Sequence, residues 1–189
     1  MKIIIGVDPG FSGALVTMSV DGAPLRTVIM PVIKSSTKIK KKSKDGTKSK
    51  TSTKSKTTLD MVAITKFFDT RKKAIRHVFI EQVGAMPGQG VVSMFRFGEG
   101  YGFLQGICAG LRIPFSLIHP VTWKRIICHG IPKGKASGIL VAQRLWPTAN
   151  ILDEKGKHHD GIADALCIAE YGRRMIFRGG DCNGTRDGL

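Results

Sequence analysis

The apolar and polar positions of the chain begin with a short, unbroken apolar run. This run, Ile3 to Val7, lies in a strand predicted at residues 2–7, and Asp8 and a Pro-Gly pair follow it, a pattern typical of a buried strand and its turn. Two more strands are predicted at residues 14–20 and 24–32, and the Asp-Gly pair between them is a strong hairpin signal. We therefore expect the chain to open with an antiparallel meander of three strands.

Further along, apolar residues alternate between strand-like and helix-like spacing. The pattern predicts strands at 74–82 and 114–118 and helices at 58–73, 91–111, 120–124, 136–145 and 160–176. Three strands followed by alternating helices and strands predict an α/β domain in which helices cover both faces of a mixed sheet. We expect this domain to span residues 1–177 and a flexible Gly/Asp/Arg-rich tail to occupy 178–189.

The segment between the meander and the first helix has a different composition. Residues 34–57 hold ten lysines and one aspartate, a net charge of +9, with almost no apolar side chains. Because such a segment cannot bury enough apolar surface to offset its ordering entropy, we expect a disordered insertion. It could be a solvated surface insertion, a flexible arm that lies on phosphates, or a nuclear address signal.

The whole chain is basic. Of its formal net charge of +16, the insertion carries +9 and the other residues carry +7, and the pI is about 10.1. A content of 42% hydrophobic residues suits a globular protein, and the basic excess favours a polyanionic partner such as nucleic acid or an anionic membrane surface. Without a bilayer-spanning run, a signal peptide or a Cys-x-x-Cys pair, we expect a cytoplasmic protein with free thiols and no membrane partner, in the host cytoplasm if a virus encodes it.

Four acids stand in apolar surroundings. Asp8 and Glu81 each end a predicted strand, and Asp160 and Asp164 lie one turn apart at the start of the final helix. Burying an unpaired charge is costly, so we expect these acids to meet at a cation. Two Mg²⁺ ions about 3.5–4 Å apart could activate water and stabilise the leaving oxygen of a phosphodiester. The alternatives are a helix cap for Asp160 and a surface acid for Glu81.

A histidine and several basic residues flank the acids. His158 and His159 directly precede the final helix, and His159 is the favoured candidate for orienting or activating the attacking water. The candidates for phosphate contact, which could also be ordinary surface lysines, are Lys124, Lys133 and Lys135. The middle of the helix predicted at 91–111 is rich in glycine, which indicates close approach of its backbone to another element or to a ligand, or tight packing: Gly98, Gly100, Gly102 and Gly106.

Taken in order, these motifs resemble the RuvC-type Holliday junction resolvases, and most closely their phage and chloroplast branch. The motifs are Ile-Gly-Val-Asp-Pro-Gly around Asp8, Phe-Ile-Glu-Gln around Glu81, Phe-Gly-Glu-Gly-Tyr-Gly at 97–102, Trp-Lys at 123–124 and Asp-Gly-Ile-Ala-Asp at 160–164. The resemblance covers residues 1–33 and 58–176, and the lysine-rich insertion departs from it.

The resemblance implies an RNase H-like fold, with a five-stranded mixed sheet of order 3-2-1-4-5. It implies that two divalent ions, Mg²⁺ or alternatively Mn²⁺, are bound by Asp8, Glu81, Asp160 and Asp164. It also implies a homodimer that places two such sites on a four-way DNA junction and makes paired symmetric nicks. The DNA contacts near the crossover would come from Phe95, Arg96, Phe97 and Tyr101, with one of the aromatic side chains inserted.

Three other functions share parts of the pattern. An RNase H-like nuclease acting on RNA–DNA hybrids or flaps would use the same acids. A non-catalytic DNA-binding protein would explain the positive charge but not the clustered acids, since a phosphate-binding surface gains nothing from negative charge. An actin-like ATPase shares the Asp-x-Gly turn but needs a second phosphate loop and a second domain. The ordered set of motifs favours the junction resolvase.

Overall fold

The structure is a computed structural model that describes residues 1–42, 49–84, 88, 90–134 and 136–177. The tail expected at 178–189 lies outside the described residues. Within the described part of the chain, no helix is both long enough and apolar enough to cross a membrane.

Seven strands and five helices make up the described fold. The strands are β1 (Ile3–Asp8), β2 (Ala14–Ser19), β3 (Pro24–Ile29), β4 (Val32–Lys42), β5 (Ser49–Leu59), β6 (Ile75–Glu81) and β7 (Phe115–Ile118). The helices are α1 (Met61–Asp69), α2 (Val91–Gly110), α3 (Pro120–Ile127), α4 (Ser137–Leu145) and α5 (Asp160–Phe177).

The central sheet has five strands in the order β3-β2-β1-β6-β7. β1 and β2 pair antiparallel, as do β2 and β3, whereas β1–β6 and β6–β7 are parallel. β4 and β5 form a separate two-stranded sheet, so β6 and β7 are the fourth and fifth strands of the core. The observed order is therefore the predicted order 3-2-1-4-5. The predicted mixed sheet with helices on both faces is confirmed.

The alternation of β1 decides which side of the sheet holds the site. Its odd-numbered residues belong to the core formed with α1 and α2, whereas Ile4 belongs to the core formed with α3, α4 and α5. A Cβ at Gly6 would overlap the carbonyl oxygen of Ala165, so the glycine lets α5 lie directly on β1. Asp8 is the next residue on this side, and it therefore faces α5.

The lysine-rich segment forms a β-hairpin, so the prediction of a disordered insertion was wrong for its described residues. β4 and β5 pair antiparallel from Val32–Leu59 to Lys42–Ser49. Composition misled because Ser and Lys give no apolar signal, although backbone pairing needs no core and Thr favours strands. The base is fixed to the domain, since Leu59 is buried and the Asp60 N–H donates to the Pro31 carbonyl at 2.9 Å.

The hairpin also changes the boundaries of its neighbours. The first helix was predicted from residue 58, but Thr58 and Leu59 complete β5 and α1 begins at Met61. The Asp60 carboxylate accepts a hydrogen bond from the Ala63 N–H at 2.9 Å and caps the helix there. Likewise, β3 ends at Ile29 rather than running to residue 32.

Candidate active site

Asp8 is the last residue of β1, and the turn that follows holds its carboxylate. The Gly10 N–H donates to Asp8 Oδ1 at 3.1 Å. Helix α5 begins against the same turn, since a Cβ at Gly161 would lie 3.1 Å from Asp8 Oδ2 and would overlap the Ser12 carbonyl oxygen. The glycine therefore permits the start of α5 to pack against the Asp8 side chain.

Glu81 ends β6, the strand parallel to β1. The register of the two strands places Asp8 and Glu81 at the same level, on neighbouring strand ends. Alternation puts Glu81 on the side of Phe79, which packs against α3 and α5. The indole N–H of Trp123, which is fully buried in α3, donates to Glu81 Oε1 at 2.9 Å. The strand end and the tryptophan together fix the orientation of the Glu81 carboxylate.

Asp164 lies in the second turn of α5 and packs against α4, where a Cβ at Gly138 would overlap its Oδ1. Lys124 Nζ lies 3.8 Å from Asp164 Oδ2 and 4.9 Å from the centroid of the Trp123 ring. Lys124, predicted as a DNA contact, therefore lies at the acids themselves. We refer to Asp8, Glu81 and Asp164 as the carboxylate cluster.

Burial disfavours the charged form of every member of the carboxylate cluster. It raises the pKa values of Asp8 and Glu81, and it raises the pKa of Asp164 to about 7. The negative charge of Asp8 raises the pKa values of Glu81 and Asp164 further, whereas the positive charge of Lys124 lowers the pKa of all three. The three carboxylates are therefore close enough to repel one another, and Lys124 partly relieves that repulsion.

Asp160 and His159 lie at the edge of the cluster. Asp160 is the exposed first residue of α5, and its charge raises the pKa of Asp164, one turn away. His159 Nδ1 accepts a hydrogen bond from the Ile162 N–H at 3.2 Å, so the histidine rather than Asp160 caps the helix. The charge of His159 also lowers the pKa of Asp8, which places the ring within electrostatic reach of that carboxylate.

The chemistry of these side chains suits a divalent cation, although they do not surround a single point. Among the described residues, no three His, Cys, Asp or Glu side chains lie close enough together to hold a metal ion. Carboxylate oxygens are the ligands that Mg²⁺ prefers, and a bound cation would offset the repulsion between the acids. The four-acid metal site therefore stays a prediction, with Asp160 as its most exposed member.

A groove of about 860 Å³ lies beside the cluster and holds several of the predicted DNA contacts. Its walls are the residues after Glu81, the first turns of α2, the base of β5 and the start of α3. Arg96 and Phe97 line it, and Phe95 is 75% exposed on the adjoining surface of α2. These three residues are accessible to a ligand beside the acids.

The other predicted DNA contacts are placed differently. Tyr101 packs against the core on the α1–α2 side, and burial of its hydroxyl raises its pKa, so Phe95 and Phe97 are the more accessible aromatic candidates. Lys133 is exposed in the loop between α3 and α4. Lys135 lies outside the described residues.

Sequence reasoning missed the residues that support Glu81. Trp123 entered only as part of a resemblance, and its contact joins positions 42 residues apart, which no local spacing predicts. His119 caps α3 through a 3.3 Å hydrogen bond from the Val121 N–H to its Nδ1, and its charge lowers the pKa of Glu81. The Trp-Lys pair was the one available signal for this side of the site.

Comparison with known proteins gives a likeness at the level of the fold. No protein-family model matches the sequence, and no curated protein matches it either. Thermus thermophilus RuvC in complex with a Holliday junction substrate aligns with a TM-score of 0.57 and 12% identity, over 95% of this chain and 98% of that one. Another structure of Thermus thermophilus RuvC aligns with a TM-score of 0.52 and 14% identity, over 94% of this chain and 97% of that one. The chain therefore has the RuvC-type, RNase H-like fold.

Proposed function

We propose that this chain is a metal-dependent endonuclease that resolves four-way DNA junctions by paired nicks. The carboxylate cluster carries the proposal, because two adjacent strand ends and α5 bring three half-buried acids together beside Lys124. A protein that only binds DNA gains nothing from such acids, whereas phosphodiester hydrolysis uses them to hold cations. The likeness to RuvC, solved with a Holliday junction, supports the choice of substrate.

The cluster would hold two Mg²⁺ ions, or Mn²⁺ as the alternative, together with Asp160 from the exposed first turn of α5. The bound ions would supply Lewis acidity and an activated water. The Trp123 indole N–H donates to one carboxylate oxygen of Glu81 at 2.9 Å, and this contact fixes the orientation in which the other oxygen would reach a cation. These residues prepare the site before DNA arrives.

Lys124 and His159 would act on the DNA and the water. The Lys124 ammonium, 3.8 Å from Asp164, is 44% exposed and can also contact a phosphate oxygen. Because His159 Nδ1 accepts a hydrogen bond, the neutral ring carries its proton on Nε2 and can donate to a water or a phosphate. Both side chains therefore present donors next to the acids.

The exposed surface of α2 supports a homodimer. Of its 20 residues, the buried ones are Gly100, Leu104 and Cys108, while Val91 and Val92 at its start are strongly exposed. A stripe of glycines at spacings of four runs along one face: Gly98, Gly102, Gly106 and Gly110. Among the described residues, no atom lies within 4 Å of the position that a Cβ would take at any of them. A second helix could therefore approach this face closely.

Replacing Gly102 by Leu tests the homodimer, because a large side chain on this stripe would hold a second α2 away. We expect the wild-type chain to sediment as a dimer. In the variant, the dissociation constant of the dimer should be higher than that of wild type by about tenfold or more. Leu140, on the exposed part of α4, replaced by Ala provides a surface control. A wild-type chain that sediments as a monomer at all concentrations contradicts the homodimer.

A panel of substrates tests the nuclease itself. Wild type and Asp8→Asn are compared on a four-way junction, a flap, an RNA–DNA hybrid and a linear duplex, each with Mg²⁺ and with a chelator. We expect Mg²⁺-dependent cuts at symmetric positions in the junction, and an Asp8→Asn protein that binds the junction without cutting it. Preferential cutting of the hybrid or the flap would establish the RNase H-like alternative, and no cutting of any substrate would leave a DNA-binding protein.

A further inference from the structure

The β4–β5 hairpin, here called the lysine ribbon, is strongly basic. Its two strands hold eight lysines and no acid. In the antiparallel register, every lysine has Ser, Thr or another Lys as its Cα partner across the ladder. The register therefore rules out salt bridges between directly opposite residues, and the exposed side chains of Lys34, Lys38 and Lys56 can meet an external anion.

The lysine ribbon is anchored to the domain at one end. Leu59 is buried in the main core, where its side chain packs so closely on Gly100 that a Cβ there would lie 2.8 Å from it. The side chains of Lys34, Lys38 and Lys56 are exposed. A two-stranded ribbon with so little apolar surface is marginally stable alone, so its anchor and its ligands matter to its structure.

The base of the lysine ribbon forms part of the walls beside the site. Ser55 and Thr57 line the 860 Å³ groove next to Glu81. Lys34 and Thr57 line a second groove of about 580 Å³, which His159 also lines. DNA that reaches the acids through either groove therefore passes the base of the ribbon.

The dimensions of the ribbon suit duplex DNA. Each strand has 11 residues, and at about 3.4 Å per residue the ribbon spans roughly 34 Å, about one helical turn of B-DNA. Lysine ammonium groups and Ser/Thr hydroxyls are ordinary ligands of phosphate oxygens and read no base sequence. The composition of the ribbon therefore matches the backbone of a duplex rather than its base edges.

We propose that the lysine ribbon lies along a duplex arm of the DNA and binds its phosphates, which supplies sequence-independent affinity next to the cutting site. This inference rests on the proposed function for the identity of the DNA, and it assigns a separate role to β4 and β5. Phosphate binding by lysines releases counterions, so the ribbon determines how steeply affinity falls with salt.

The test measures duplex affinity as a function of salt in the Asp8→Asn background, which removes cleavage from the experiment. The ribbon variant replaces Lys34, Lys38 and Lys56 by Gln. We expect its slope of log affinity against log salt to be shallower by about 2–3, with binding about 10- to 100-fold weaker near 100 mM salt. Replacing the same three lysines by Arg keeps the charge and should keep the slope.

A matched control removes three charges elsewhere, by replacing Lys2, Lys66 and Lys73 with Gln. Lys2 Nζ donates to the Lys73 carbonyl at the end of the sheet opposite Asp8, and Lys66 is exposed on α1. If the ribbon variant and this control have the same slope, general charge explains the binding and the proposal fails.

Vesicles containing phosphatidylserine provide the other arm of the test. If the ribbon variant loses vesicle binding while its duplex slope is unchanged, the ribbon is a membrane-binding surface and the proposal is wrong. The outcome is independent of catalysis: a wild type that cuts no junction overturns the proposed nuclease, yet a shallower slope in the ribbon variant would still support the ribbon.

Discussion

The carboxylate cluster and the lysine ribbon carry charge in opposite ways. Each acid of the cluster comes from a different element and is half-buried, with its position fixed by strand register or by close helix packing. The lysines of the ribbon stand on two neighbouring strands, and those whose side chains are described are exposed. Under the two proposals, the acids would act through geometry and each would be needed individually, whereas the lysines would act through their number.

The strongest test of this contrast is Asp164→Asn. We expect junction cleavage to fall by about a thousandfold or more, because the variant loses one oxygen ligand of the proposed cations. Junction affinity should stay close to that of wild type. Asp69→Asn is the control, because it removes an exposed acid at the end of α1 that pairs with Lys72. If the Asp164→Asn protein cuts at more than a tenth of the wild-type rate, Asp164 is not individually required for cleavage.

Asp164→Asn should lower activity but raise the stability of the fold in metal-free buffer. Burial raises the pKa of Asp164 to about 7, above its ordinary value, so the folded state holds this proton more tightly than the unfolded state. Stability from this group therefore declines as pH rises from about 4 to about 7, and Asn removes the decline. We expect the variant to be more stable than wild type by roughly 2–4 kcal/mol above pH 7 and equal near pH 4, measured by urea unfolding with a chelator.

Trp123→Phe should have a smaller effect on cleavage than the loss of an acid. The change removes the N–H that donates to Glu81 and keeps an aromatic ring in the core. We expect cleavage at saturating DNA to fall about 10- to 100-fold with little change in the DNA concentration needed for half-maximal rate. Trp146→Phe is a matched control, because the Trp146 indole donates to the Gly22 carbonyl at 2.9 Å, away from the cluster. Equal losses in the two variants would mean that the effect is one of stability alone.

The sequence predicted the part of the site that follows from strand geometry. Asp8 and Glu81 end apolar strands of the same sheet, and parallel pairing with period-two alternation brings them to one edge. Asp160 and Asp164 were predicted to share one helix face, and they lie one turn apart at the start of α5. The order of the core strands followed from the resemblance.

The contacts between distant elements could not be predicted in this way. The Trp123–Glu81 hydrogen bond and the packing of Asp164 on Gly138 depend on how α3 and α4 lie on α5, which local periodicity does not specify. The hairpin was missed for a different reason. Its pairing is made by backbone groups along a polar segment, and composition rules detect cores rather than ladders.

The central claim is tested most directly by single-turnover cleavage of a four-way junction by wild type and Asp8→Asn at saturating protein, with Mg²⁺ and with a chelator. We expect rapid cleavage by wild type in Mg²⁺, none in the chelator, and a junction-bound Asp8→Asn protein that cuts at least about a thousandfold more slowly. Cleavage by Asp8→Asn at the wild-type rate, or wild-type cleavage that persists in the chelator, would contradict the assignment of the carboxylate cluster as the catalytic site.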